Sequence, residues 1–169
     1  MKQLKHIFIF VILSSTIISC GIYSFSGASI PAEAKTFQVN FFQNNAPIIE
    51  PGIDILFTNT LRDLMLNQTN LSLVTSNGDL VYEGEITTYR ISPTNATSNL
   101  NAAQSRLTIG VNVRYFNKFD SEKDFEQPFS FFFDVDSEAQ LVGAAVTPAL
   151  EEIFERITQD IFNASLAQW

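Results

Sequence analysis

Leu80-Val81-Tyr82-Glu83-Gly84-Glu85-Ile86-Thr87-Thr88-Tyr89-Arg90-Ile91 is the stretch on which the fold turns. Leu80, Tyr82, Gly84 and Ile86 fall on one face of an extended chain, with Glu83, Glu85 and Thr87 on the other. A period of two is the mark of a strand with one dry and one wet side. Ser92-Pro93 is expected to end it. Such a strand belongs to a sheet covered on one face only. Downstream, residues 94–104 are mostly Asn, Thr, Ser and Ala, a polar loop. Residues 106–116 alternate again, with Leu107, Ile109, Val111, Val113 and Tyr115 on one face. A charged turn over residues 117–127 leads to Phe129, Phe131, Phe133 and Val135, the last strand.

Upstream, Asn77-Gly78-Asp79 is a turn and residues 71–74 a short strand. Residues 36–43 form the first strand, with Phe37, Val39 and Phe41 expected on one face and Gln38 and Asn40 on the other. Two segments carry helical periodicity. One starts at Glu50-Pro51 and presents Ile53, Leu56, Phe57, Thr60, Leu61 and Leu64, with Arg62, Asp63 and Asn67 turned away. The other starts at an N-cap Thr147 with Pro148 and has Glu151 and Glu152 in its first turn. Its stripe is Leu150, Ile153, Phe154, Ile157 and Ile161, and residues 138–145 could extend it at the start. The expected order is β-α-β-β-β-β-α. The fold class is α+β, a two-layer α/β sandwich with a mostly antiparallel sheet of four to five strands. Both amphipathic helices pack on one face of it.

The chain opens with Lys2 and Lys5, an apolar run over residues 7–18, and Ile17-Ile18-Ser19-Cys20. A spanning helix needs about 20 apolar residues. This run is shorter and ends in a small-residue pattern, so it reads as a cleaved secretory signal over residues 1–19. Its last four residues have the form of a bacterial lipobox. Cys20 would then carry a diacylglycerol thioether and an N-acyl chain. Stable anchoring needs about two lipid signals, which several acyl chains on one residue supply. The competing reading is an ordinary signal that leaves a lone thiol. Gly21 follows with no acidic cluster behind it, which points to the periplasmic leaflet of the outer membrane of a Gram-negative bacterium. Residues 20–34 read as a tether and residues 35–169 as a single domain.

Composition narrows the chemistry. Sixteen phenylalanines imply an aromatic-rich core. Loss of Lys2 and Lys5 with the leader moves the formal charge from −8 to −10, which disfavours nucleic acid as a partner. His6 is the only histidine and lies in the leader. With Cys20 acylated, neither His-based nor thiol catalysis remains, nor a zinc site of the usual ligands. No cofactor and no metal site are expected. Asp134 and Asp136 are the obvious carboxylate pair, but no glycine-containing Ca²⁺ loop surrounds them. The sequons at Asn67, Asn70, Asn95 and Asn163 carry no meaning in a bacterial lipoprotein.

Three features combine into a resemblance. Cys20-Gly21-Ile22-Tyr23-Ser24-Phe25-Ser26-Gly27 follows the lipobox, a strand, helix and meander follow that, and the long strand carries Tyr82 to Pro93. Together they resemble the LPS-assembly lipoprotein family, LptE. Its members begin Cys-Gly-Tyr-x-Phe-x-Gly and carry Gly-x-Ile/Val-x-x-Tyr in the central strand. Ile22, set between Gly21 and Tyr23, departs from that pattern. The resemblance implies a non-enzymatic protein seated in the lumen of the outer-membrane barrel LptD, acting as plug, assembly partner and lipopolysaccharide-binding factor.

A barrel lumen is polar, and the outer sheet face and the 94–104 loop match it. Lipopolysaccharide phosphates call for cations. Arg90 and Arg106 flank the loop and would face each other if the strands mirror about its midpoint, with Arg114 and Lys118 further along. The plainer reading pairs these cations with Glu83, Glu85 or aspartates across strands. Three other classes compete. An accessory of a different outer-membrane machine, such as a secretin pilot, differs in its partner. A carboxylate enzyme needs converging acids. A small-molecule carrier needs a deep apolar cavity.

Overall fold

The computed structural model describes residues 30–48, 50–94, 104–136 and 146–167. Its elements are β1 (Thr36–Val39), β2 (Gln43–Asn44), α1 (Ile53–Gln68), β3 (Ser72–Leu73) and β4 (Leu80–Thr94). Then follow β5 (Gln104–Asn117), a 3₁₀ turn (Ser121–Lys123), β6 (Phe125–Asp136) and α2 (Thr147–Leu166). Cys20, the leader, the rest of the polar loop and residues 138–145 lie outside the described residues.

The class is α+β, and the sheet is mixed, with six strands. The order β3-β1-β4-β5-β6 has antiparallel pairing only across the long strands β4, β5 and β6. β1 runs parallel to both β3 and β4, and β2 runs parallel to β4. Parallel neighbours follow from α1, which carries the chain back to the starting end of the sheet before β3 and β4 begin.

The expected first strand breaks in two. Val39 pairs with Tyr82 and Gln43 with Glu85, so four steps along one chain match three along the other. The extra residue turns the pattern over. Phe42 is fully buried and Phe41 is half exposed, the reverse of the expected alternation. β4 also runs past Ser92-Pro93 to Thr94, with Pro93 opposite Ser105. Proline is tolerated there because β2 stops at Asn44, opposite Ile86, and among the described residues no strand continues beside the far half of β4 on that side.

Leu107, Ile109, Val111, Val113 and Tyr115 are all completely buried, as their alternation required. They pack with Leu80, Tyr82 and Ile86 beneath the two helices. An aromatic relay ties the layers. Phe42 meets Phe57 of α1 edge-on at 5.0 Å, and Phe57 meets Phe154 of α2 at 5.2 Å. Such pairs contribute about 0.5–1.5 kcal/mol beyond the area they bury.

Both helix starts differ from expectation. α1 begins at Ile53, after Gly52 in the left-handed region (φ 86°), so Pro51 stands in the preceding turn. Val146 caps α2, which moves Glu151 and Glu152 beyond the first turn. Thr58 and Met65 join the buried stripe of α1. Arg62 does not turn to water: its guanidinium donates to the Val39 carbonyl at 2.9 Å.

Candidate functional site

The uncovered face of the sheet gathers the polar residues. Even-numbered residues from Arg106 to Phe116 and from Glu126 to Asp134 point outward because their odd-numbered neighbours fill or line the core. At the centre stands Arg114. Its guanidinium lies 3.1 Å from Glu83, 3.2 Å from Glu85 and 3.7 Å from Glu126. Asn112 bridges Glu85 at 3.2 Å and Glu126 at 2.9 Å, and Asn40 donates to Glu83 at 3.2 Å. Partial burial pushes the Glu85 carboxyl up, but hydrogen bonds from Arg114 and Asn112 outweigh it and hold the acid below its usual range. The Arg114 guanidinium is in turn raised by its hydrogen bonds to Glu85 and Glu83.

Arg106 is bound as firmly. Its Nε and Nη2 grip both oxygens of Asp134 at 2.7 and 2.8 Å, and its plane sits 3.7 Å from the centre of the Phe132 ring. The hydrogen bond from Arg106 lowers the Asp134 pKa. Lys118 reaches Asp79 at 3.3 Å. The register corrects one expectation: Arg90 stands opposite Thr108, not Arg106, whose β4 neighbour is Ser92. Arg90 and Arg106 are therefore diagonal neighbours on one face, about 7–8 Å apart by strand geometry. Among the described residues Arg90 is exposed and makes no ion pair. Of the four cations singled out from sequence, only Arg90 is without a carboxylate partner there. Among the described residues no three His, Cys, Asp or Glu side chains are grouped to hold a metal ion. No helix there is long and apolar enough to cross a membrane.

Sequence reasoning missed the role of Asn112, Asn40 and Glu126 in the Arg114 network. Cross-strand neighbours need a register, and the register depends on irregularities that alternation does not display.

Residues 34–165 match the family model described as LptE, lipopolysaccharide-assembly. The chain belongs to the LptE family. No curated protein matches. Among solved structures, the hypothetical protein CT253 from Chlamydia trachomatis superposes with a TM-score of 0.54 at 10% identity, over 80% of this chain and 99% of that one. That likeness shows the fold. A putative neuraminyllactose-binding hemagglutinin homolog from Helicobacter pylori gives 0.48 at 11% identity, over 83% and 90%. Rare lipoprotein B from Shewanella oneidensis gives 0.38 at 16% identity, over 75% and 89%.

The structure gives the Gly-x-Ile-x-x-Tyr pattern of LptE proteins a physical cause in this chain. A Cβ on Gly84 would lie 2.0 Å from the Asn112 carbonyl oxygen and 2.7 Å from the Phe42 ring. Glycine is required because the Asn112 carbonyl, fixed in the β5 backbone, leaves no room for a Cβ, and the Phe42 ring crowds the same space. Ile86 and Tyr89 are three apart, yet both are buried. Ile86 pairs with Val111 and Thr88 with Gly110, so Thr87 is an inserted residue and the faces exchange after it.

Proposed function

We propose that this LptE-family protein is a lipoprotein of the outer membrane, cleaved after residue 19 and anchored through acyl chains on Cys20. Its single domain sits in the lumen of an LptD-type β-barrel and meets lipopolysaccharide on its way to the surface. It acts by binding and positioning, without catalysis. Family membership over residues 34–165 carries this reading. The outer face supports it: Arg114, Glu83, Glu85, Glu126 and Asn112 satisfy one another and so present a polar surface suited to a polar lumen. Affinity purification of the tagged chain from membranes is expected to recover a large outer-membrane barrel. Recovery of a secretin, or of periplasmic proteins alone, would replace the plug with an accessory of another machine.

For lipopolysaccharide contact we rank Arg90 first among Arg90, Arg106, Arg114 and Lys118. A phosphate can approach it without displacing an acid, whereas the other three must first give up a carboxylate. Arg90→Glu should weaken lipopolysaccharide binding by roughly the 1.5–3 kcal/mol of a charge-assisted hydrogen bond. Arg106→Gln should weaken it less. Equal binding by wild type and Arg90→Glu, in a protein with unchanged circular dichroism, would remove the assignment.

A further inference from the structure

The outer face carries more than its charged network. An open depression of about 240 Å³ is walled by Phe41, Gln43 and Asn45 on one side and by Glu83, Glu85 and Arg114 on the other. Phe41 is 49% exposed, and the irregularity between β1 and β2 that buries Phe42 turns its ring to this face. The side chains of Gln43 and Asn45 make no hydrogen bond among the described residues, and both residues are exposed. Each amide offers two N–H donors and a carbonyl acceptor. The acids are paired without being saturated. Glu83 takes one hydrogen bond on each oxygen, from Arg114 and from Asn40. A carboxylate has about four lone-pair positions, so Glu83 can accept from a ligand hydroxyl and keep Arg114.

Charge and polarity narrow the ligand. Three carboxylates, Glu83, Glu85 and Glu126, surround the one guanidinium of Arg114. A phosphate would meet net negative charge here, whereas Arg90 offers it a cation with no acid partner among the described residues. An acyl chain would have to strip water from the amides and acids without replacing their hydrogen bonds. An uncharged pyranose ring avoids both costs. Its hydroxyl rim exchanges hydrogen bonds with amides and carboxylates. Its C–H face, weakly positive, lies on the negative face of an aromatic ring. Two further rings extend the row on the same face. Phe116 and Phe132 are each 43% exposed, Phe116 opposite Val81 and Phe132 opposite Thr108. From Phe116 to Thr108, β5 runs about 27 Å, the length of several linked sugars.

We propose that this face of the sheet binds uncharged sugar units, with a pyranose ring stacked on Phe41 and its hydroxyls shared among Gln43, Asn45 and Glu83. This rests on the lipopolysaccharide contact proposed above: the units belong to the saccharide of that molecule, held against the plug as they cross the lumen, while Arg90 takes a phosphate. The test is saturation-transfer NMR on the full acylated chain in detergent micelles, alone and in complex with its barrel. The probe is lipopolysaccharide oligosaccharide freed of lipid A by mild acid and of phosphate by hydrogen fluoride. Irradiating the aromatic protons of the protein should transfer saturation to the C–H protons of the sugar. Transfer should fall severalfold in Phe41→Ala and in Gln43→Ala, with circular dichroism unchanged. It should hold in Ile55→Ala, whose exposed side chain stands on α1. No transfer to wild type, or equal transfer in wild type and Phe41→Ala, would overturn the proposal. So would transfer that vanishes in the barrel complex, which would put the lumen wall over this face. A maltooligosaccharide of matched length should show weaker transfer, and transfer as strong would overturn the assignment to lipopolysaccharide. The two readings fail separately. A chain that recovers no barrel removes the lumen reading, and a barrel complex without transfer removes this site alone.

Discussion

Two residues set conditions that the rest of the chain must meet. Gly84 is the point of closest approach between β4, the Asn112 carbonyl and the Phe42 ring. Gly84→Ala forces an atom into occupied space, and overpacking of this kind costs about 1–3 kcal/mol or more. Urea unfolding should show the midpoint falling with the slope unchanged. Asp79 is the second. Backbone N–H of Lys35, then the Thr36 hydroxyl, then Lys118, hold its carboxyl at about 2, from an ordinary 3.8. The folded state thus favours the carboxylate. Asp79 stabilises the fold above about pH 4, and that contribution drains away as pH falls towards 2. Asp79→Asn should flatten this part of the stability profile, and the midpoint should appear in a carboxyl-carbon NMR titration of the wild type. Neither role was legible from sequence. Gly84 alternates like its neighbours, and Asp79 looked like one residue of a turn.

At the scale of elements, the helices and the long strands were plain because each buries one continuous stripe. The full burial of the five apolar residues from Leu107 to Tyr115 is what period-two alternation demands. What escaped were places where the period slips. The split between β1 and β2 put Phe41 outside and Phe42 inside, and the insertion at Thr87 let Ile86 and Tyr89 share a face. Arg90 misses Arg106 for a different reason: β4 and β5 mirror about position 99, with Thr94 opposite Gln104, and not about position 98 as an Arg90–Arg106 pair requires. Deleting Thr87 should restore a regular ladder that keeps Ile86 and Tyr89, then two apart, on one buried face. The loss should stay well below the about 3–5 kcal/mol of removing a large buried side chain, the cost expected of Tyr89→Ala. A two-state melt in which the deletion falls as far as Tyr89→Ala would show that the insertion itself is needed.

For the whole molecule, the pairing of β1 with β4 governs how the chain can come together. β4, β5 and β6 are joined by short returns, but Phe37 meets Leu80 across 43 positions. Non-local parallel pairing of this kind is slow, because a long loop must close before any contact rewards it. A protein delivered amino end first therefore presents Phe37, Val39 and Phe42 while nothing yet exists to receive them. Chains truncated before residue 80 should be digested as fast as unfolded controls. Chains ending at residue 136 should gain protection over the β4 to β6 region first. The first apolar segment of the domain to emerge thus waits until β4 arrives to find its sheet partner, and during that interval it is a client for any holdase in its path.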